Sequence, residues 1–298
     1  MQRTTMRKRF VVSLLAFTLL AGLLPSLVMA QDQEPPPPSY GPDQLDHMVS
    51  RIALYPDSLL AQILAAATYP DQIPDAARWA DQHHYLRGDQ LANAINEDHL
   101  PFDPSVQALL PFPSVLDTMA SDMNWTTDLG NAFLAQRQDV MDAVQRMRQK
   151  ARDFGYLRSN QQIVVSGGPY IEIAPVNPDF VVVPYYDPAV VYFAPRPGFF
   201  VGGAIRFGYG ITLGVAFRPW GWGYNRFDWR GHGVIINNHP WGRVWVNRRV
   251  YVHPYEGPRR WEGGRPAERH RLEPRNEHER QAAREGRERV EEHRHGRP

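Results

Sequence analysis

The sequence has 298 residues, of which 43% are hydrophobic and 22% are charged, so the chain can bury a sizeable core and is not disordered throughout. It has no cysteine, which excludes disulfide scaffolds, thiol catalysis and cysteine-ligated zinc or iron–sulfur sites. The formal net charge of +1 hides an uneven distribution, because residues 31–258 hold 17 basic and 23 acidic side chains. A mildly acidic body argues against a nucleic-acid-binding protein.

The first 30 residues have the three parts of a secretory signal peptide. Basic residues at positions 3 and 7–9 precede an apolar run from Phe10 to Val28, and Val28-Met29-Ala30 forms a cleavage site before Gln31. We therefore expect export to the periplasm or to an outer-membrane-associated location, with cleavage after Ala30. An uncleaved membrane anchor is the alternative.

Residues 31–41 form a proline-rich linker, and the apolar spacing of residues 42–157 predicts a helical domain. Predicted helices follow Pro42 and Asp57, a third covers about 72–84, and shorter ones lie near 88–98 and 104–121. The longest predicted helix begins near Thr126 and stops at Gly155, a residue suited to a left-handed C-cap. The first half of the mature chain is therefore expected to be all-helical.

Residues 158–258 change to the spacing of strands and are rich in β-branched and aromatic residues. Segments 162–166 and 170–174 should pair as a hairpin, and further strands are predicted at 179–183, 189–193, 234–238 and 243–252. Between Gly198 and Gly233, ten of 36 residues are glycine and ten are aromatic, which favours aromatic strands broken by glycine bends. We predict an α+β fold, in which an all-helical part precedes an antiparallel, Gly/aromatic-rich β part.

Residues 259–298 hold 21 charged side chains, all arginine or glutamate, together with several histidines. We expect this tail to be disordered, because it buries too little apolar surface to offset the entropy of ordering it. Truncation after Pro258 should then leave the melting temperature nearly unchanged.

The tripeptide Tyr-Pro-Asp occurs twice, at 55–57 and 69–71, each time at a predicted corner between helices. Proline forces the preceding residue out of the helical region, and aspartate accepts hydrogen bonds from the free N–H groups of a following helix. We therefore predict that Tyr55, Asp57, Tyr69 and Asp71 are structural corner residues, with both carboxylates as N-caps. The alternative is an acid–base pair formed by Asp57 and Asp71.

Three segments resemble one bacterial family: IALYPDSLLAQILAAATYPDQI at 52–73, AARW at 76–79 and VVVPYYDPAVVY at 181–192. The family is called domain of unknown function 3300, and the resemblance covers most of residues 43–260. It implies an exported protein of Gram-negative bacteria with a two-part architecture. It implies no activity, cofactor or catalytic residue.

No nucleophile elbow, P-loop or zinc-protease motif occurs, and we expect a protein without catalytic activity. Aromatic residues of the β part are the best functional signal, since such residues line grooves that bind partners. The candidate interaction surface consists of Tyr185, Tyr186, Asp187, Trp220, Trp222 and Trp229. The competing interpretation is that these rings pack into a core of their own.

Two other functions stay open at this point. A periplasmic hydrolase would use carboxylates such as Asp57, Asp71 or Asp187. A membrane-contacting hairpin would lie at 199–217, which is apolar apart from Arg206.

The histidines of the β part could form a metal site only if the side chains of His232, His239 and His253 converge. We expect no dedicated metal site and no cofactor. The expected partner is an envelope protein or a glycan, with peripheral membrane contact as a further option and with no nucleic acid.

Overall fold

The computed structural model describes residues 35–198, 201–223 and 225–251. The predicted signal peptide at 1–30 and the predicted disordered tail at 259–298 lie outside the described residues. From Pro38 onward the described residues belong to one compact unit, in which helices come first and short antiparallel strands follow. This order confirms the predicted α+β class.

Eight helices make up the first part of this unit. They are α1 (Pro42–Val49), α2 (Asp57–Ala66), α3 (Ile73–Gln82), α4 (Gly88–Glu97), α5 (Pro104–Gln107), α6 (Pro113–Ser121), α7 (Met123–Ala135) and α8 (Arg137–Asp153). Four of them, α1, α3, α5 and α6, have proline in the first turn, where the missing N–H removes no helical hydrogen bond. None of these helices has both the length and the apolar character needed to cross a bilayer.

The predicted long helix from Thr126 to Gly155 is two helices, α7 and α8, so that prediction was wrong. Gln136 separates them with φ −136° and ψ 47°. Its side-chain amide bonds the backbone N–H and C=O of Tyr40, at 2.6 and 3.2 Å, which holds the break in place. The end of α8 is as predicted, because Gly155 has φ +79°. The segment 104–121 is likewise two helices, α5 and α6.

The β part of the described chain has nine short strands, all in antiparallel pairs. They are β1 (Ile163–Gly167), β2 (Ile171–Pro175), β3 (Phe180–Val181), β4 (Pro184–Tyr186), β5 (Ile205–Phe207), β6 (Ile211–Thr212), β7 (Arg226–Asp228), β8 (Gly233–Ile236) and β9 (His239–Pro240). β1 and β2 form the predicted hairpin, β3 pairs with β6, β4 pairs with β5, and β7, β8 and β9 form a three-stranded sheet. The segment considered as a membrane-contacting hairpin contains β5 and β6, and its residues 199 and 200 lie outside the described ranges.

Two predicted strands are wrong. Residues 189–193 fall mainly in a short helix, α9 (Pro188–Val191), because the Asp187 carboxylate accepts a hydrogen bond from the Ala189 N–H at 2.8 Å. Proline in the first helical position favours the same conformation. Residues 243–251 contain a 3₁₀ turn at Trp245–Asn247 in place of a strand.

One hydrophobic core serves the helical part and the β part. Buried side chains of α2, α7 and α8 share it with those of β2 and β8, for example Leu60, Phe133, Ile173 and Ile236. Helix α2 lies at its centre and packs on α7, β2, β7 and β8. The change near residue 157 is therefore a change of secondary structure across a shared core.

Candidate functional site

Strands β3 and β4 pair with β6 and β5 to form one ribbon, which we call the bulged ribbon. Val181 lies opposite Ile211, and Pro184 lies opposite Phe207. Two residues of the first strand therefore face three of the second, Gly208-Tyr209-Gly210. One extra residue on one strand defines a β-bulge, a feature that bends a strand and redirects its side chains.

The two glycines of the bulge lie against aromatic rings. A Cβ atom at Gly208 would be 3.1 Å from Cε2 of Tyr185, and one at Gly210 would be 3.2 Å from Cδ1 of Phe180. Tyr185 and Phe180 nevertheless stay 50% and 40% exposed, and Tyr209 between the glycines is fully exposed. The bulged ribbon thus presents three aromatic side chains to solvent.

Exposed large apolar side chains concentrate in the β part. Of the ten in the described chain, seven lie between residues 164 and 215, whereas residues 42–157 contribute Tyr85 alone. Burial of apolar surface is a main driving force of protein association, so exposed apolar side chains that lie close together are candidates for an interaction site. The β part is therefore the side of the molecule on which to look for one.

An open cleft of about 570 Å³ lies along the bulged ribbon, and we call it the tyrosine cleft. It is lined by Tyr185, Tyr186, Asp187, Val190, Gly202, Gly203, Ala204 and Arg206. Three of the six residues predicted as an interaction surface, Tyr185, Tyr186 and Asp187, are brought together here. Arg206 joins them because it lies opposite Tyr185 in the β4–β5 ladder.

The tyrosine cleft contains two opposite charges that do not pair with each other. Oδ1 of Asp187 accepts the hydrogen bond that caps α9, and Oδ2 has no partner among the described residues. The guanidinium of Arg206 has no hydrogen bond or ion pair within the same part of the chain. A charged donor and a charged acceptor are therefore free to contact a ligand.

The other three predicted surface residues are buried, so the prediction was wrong for them. Trp220, Trp222 and Trp229 are each at most 4% exposed. Their indole N–H groups donate to acceptors in the helical part, namely Gln107 Oε1 at 2.7 Å, the Ala108 C=O at 3.0 Å and Asp57 Oδ2 at 3.1 Å. Buried indoles find such partners, and these three attach the β part to the helices.

The corner between α1 and α2 is held by a buried arginine. Arg148 of α8 is fully buried, and its guanidinium donates to the backbone C=O groups of Ala53, Tyr55 and Ile171 at 2.8, 3.0 and 2.8 Å. The first two carbonyls belong to the corner, and the third belongs to β2. A side chain of the helical part thus fixes both the corner and the hairpin.

Asp57 pairs with this arginine and is not an N-cap, so that prediction was wrong. Its carboxylate makes no capping hydrogen bond to α2, although Asp57 is the first residue of the helix. Oδ1 lies 2.7 Å from Nη1 of Arg148 and accepts from the Ile173 N–H at 3.2 Å, and Oδ2 accepts from Trp229. The carboxylate balances a buried charge, which it would otherwise cost several kcal/mol to bury.

The second Tyr-Pro-Asp corner has different surroundings. Asp71 is exposed in the 3₁₀ turn Pro70–Gln72 and makes no capping hydrogen bond, so its predicted role as an N-cap was also wrong. Tyr69 is half-buried beneath Arg243, whose guanidinium carbon lies 3.6 Å from the ring centroid. Burial raises the pKa of Tyr69 above its ordinary value. The two corners share a sequence but differ in every contact of the carboxylate.

Three tyrosines form a network behind the tyrosine cleft. The hydroxyls of Tyr186 and Tyr192 both donate to the C=O of Ser50 at 2.9 Å, and the ring of Tyr186 makes edge contacts with Tyr55 and Tyr192. Burial raises the pKa of Tyr55 to about 12 and raises the pKa values of Tyr186 and Tyr192 well above 10. These neutral hydroxyls connect the cleft to the corner after α1.

The histidines considered for a metal site have other surroundings. His232 lies 3.1 Å from Asp142 of α8, His239 is exposed in β9, and His253 lies outside the described residues. Within residues 35–198, 201–223 and 225–251, no group of three or more histidine or acidic side chains is arranged to hold a metal ion.

Sequence reasoning missed Arg148, Arg206 and Tyr209. Arg148 is four residues after Val144 and three before Ala151, so it lies on the buried face of α8, but apolar spacing alone does not select an arginine for that face. The Gly-Tyr-Gly sequence around Tyr209 carried a usable signal, because a bulky residue between two glycines within an aromatic strand is typical of a bulge.

The fold and this site define an α+β protein with an open, tyrosine-lined cleft on its β part. The family described as protein of unknown function (DUF3300) matches residues 41–263, and the chain belongs to this family, which confirms the resemblance noted in the sequence. The chain is also similar to the uncharacterized protein YacH of Escherichia coli (strain K12), with 35% identity over 219 residues that cover 58% of this chain and 35% of that protein. The chain therefore spans only 35% of the length of this relative. No solved structure matches.

Proposed function

We propose that this protein is an exported, envelope-associated binding protein without catalytic activity, and that its partner, an envelope protein or a glycan, contacts the tyrosine cleft. The observation that carries the proposal is the half-exposed ring of Tyr185, which packs on Gly208 and lines the tyrosine cleft, with the exposed rings of Phe180 and Tyr209 on the same bulged ribbon. Aromatic side chains contribute a large share of the energy at binding surfaces, especially where their orientation is fixed in advance.

Export is supported by the three-part leader at residues 1–30. N-terminal sequencing of the protein recovered from the periplasmic fraction tests it. We expect the mature chain to begin at Gln31. A chain that keeps Met1 would contradict cleavage and would favour a membrane anchor.

The surroundings of the three carboxylates support a binding role over hydrolysis. Asp57 balances Arg148, Asp187 caps α9, and Asp71 is exposed on a turn. Acid–base hydrolysis needs an acid and a base that are both within hydrogen-bond reach of the reacting groups of one substrate. The described contacts of these carboxylates are those of structural residues.

Binding is tested with purified envelope components and matched tyrosine variants. Tyr185→Ala removes the ring that lines the tyrosine cleft, and Tyr209→Ala removes an exposed ring of the bulged ribbon that forms one side of it. Tyr85→Ala removes a ring of comparable exposure from the helical part. We expect co-sedimentation with purified peptidoglycan sacculi or with outer-membrane vesicles to fall for the first two variants and to stay unchanged for the third. Equal sedimentation of all three variants with the parent protein would refute the proposed surface.

A further inference from the structure

We infer that the tyrosine cleft binds a carbohydrate, with a sugar ring stacked on Tyr185 and its hydroxyls bonded to Asp187 and Arg206. The inference rests on the proposed binding function and names the class of ligand for the same site. It follows from three properties of the cleft: a ring held in place, two unpaired charges, and the size and chemistry of the walls.

The ring of Tyr185 is held at two points while half of its surface stays open. It packs on the backbone of Gly208, and its hydroxyl lies 3.3 Å from the Ser114 hydroxyl on α6. The C–H groups on one face of a sugar ring form a flat apolar surface that matches an aromatic face. A ring fixed before binding loses little rotational freedom when the sugar stacks on it.

The unpaired groups of the cleft match neighbouring sugar hydroxyls. A hydroxyl both donates and accepts hydrogen bonds. Two adjacent hydroxyls can therefore donate to Oδ2 of Asp187 and accept from the guanidinium of Arg206 at the same time. Asp187 and Arg206 are both exposed, and a ligand of one charge sign would be attracted by one of them and repelled by the other.

The walls of the cleft favour a sugar over an extended peptide. A volume of about 570 Å³ lies within the range of roughly 300–1,000 Å³ that is typical of small-ligand sites. Gly202 and Gly203 contribute only backbone to the walls of the cleft, and Val190 and Ala204 contribute small aliphatic side chains. A peptide that binds by extending a sheet instead needs side-chain pockets spaced along an exposed sheet edge.

The test uses the full mature chain and defined soluble sugars. Isothermal titration with chitotetraose, cellotetraose and maltotetraose covers two sugar units and two linkage geometries, and native electrophoresis through gels containing glycol chitin or dextran detects weaker binding. We expect binding to at least one sugar, and we expect Tyr185→Ala and Arg206→Gln to weaken it about tenfold or more. Tyr85→Ala is the matched control and should bind as the parent does. Asp187→Asn keeps the cap of α9, so its loss of affinity would report on the ligand contact rather than on folding.

The outcomes separate this inference from the proposed function. Sugar binding that depends on Tyr185 and Arg206 supports both. Failure of every sugar, together with Tyr185-dependent sedimentation of a protein-containing outer-membrane fraction, overturns the carbohydrate inference and leaves the binding role standing. Sugar binding that is unchanged in Tyr185→Ala and Arg206→Gln also overturns the inference, because the sugar then binds elsewhere.

Discussion

Replacement of Asp57 by alanine separates the ion pair found in the structure from the N-cap predicted by the sequence. Arg148 is fully buried, and Asp57 is the carboxylate that balances its charge. Removal of one partner of a buried pair costs about 3–5 kcal/mol, because the remaining charge stays in a low-dielectric interior. For a unit of this size that corresponds to a fall of roughly 6–20 °C in melting temperature. Loss of an N-cap alone would cost only about 0.5–2 kcal/mol.

The matched control is Asp71→Ala, since Asp71 occupies the same position in the second Tyr-Pro-Asp tripeptide. It is exposed and makes no capping hydrogen bond, so its replacement should change the free energy of unfolding by about 0.5 kcal/mol or less. Asp57→Asn distinguishes the mechanisms further, because asparagine caps helices well but carries no charge. We expect asparagine to restore little of the loss in thermal and urea unfolding. If asparagine restores the stability, or if both alanine variants unfold alike, the ion-pair argument fails.

Three further predictions follow from the packing, the cap of α9 and the buried hydroxyls. Gly130→Ala should lower the free energy of unfolding by about 1–3 kcal/mol or more in urea, because its Cβ would lie 1.9 Å from the backbone oxygen of Ala67. Gly168→Ala is the control and should unfold like the parent, because its nearest contact would be at 3.9 Å. Asp187→Ala should lower the free energy of unfolding by about 0.5–2 kcal/mol, whereas Asp187→Asn should keep the value of the parent, because asparagine also caps helices. Equal melting temperatures of the two variants would refute the cap. The raised pKa of Tyr55 predicts a pH dependence of the free energy of unfolding: Tyr55 leaves it unchanged below pH 10 and lowers it between pH 10 and about 12, because the tyrosine loses its proton first in the unfolded chain. A spectrophotometric titration in which all tyrosines ionise near pH 10 without unfolding would contradict this prediction.

Local rules predicted the elements that depend on neighbouring residues. The periodicity after Pro42 and after Asp57 locates α1 and α2, and the Gly167-Gly168 turn locates the hairpin. The capping rule itself holds as well, because Asp103, Asp122 and Asp187 cap α5, α7 and α9. These features are fixed within a few residues of the chain.

The local rules failed where a side chain contacts residues far away in the chain. Asp57 has the sequence context of a cap, yet its carboxylate contacts Arg148 and Trp229, which lie 91 and 172 residues away. Trp220 and Trp222 look like surface aromatics in a glycine-rich segment, but their acceptors lie on the helical part. A single sequence contains no signal for such pairs. Three of the six predicted surface residues, Tyr185, Tyr186 and Asp187, therefore line the cleft, whereas Arg206 was not predicted.

The position of Arg148 in the chain has a consequence for how the molecule folds. Its acceptors come from residues 53–57, which precede it, and from the hairpin at Ile171, which follows it. The helical part alone would leave this guanidinium short of one acceptor, and the hairpin alone would have no helix to pack on. The amides of α2, α8 and β2 should therefore exchange with solvent only through the same global opening, which is the behaviour of a single cooperative folding unit.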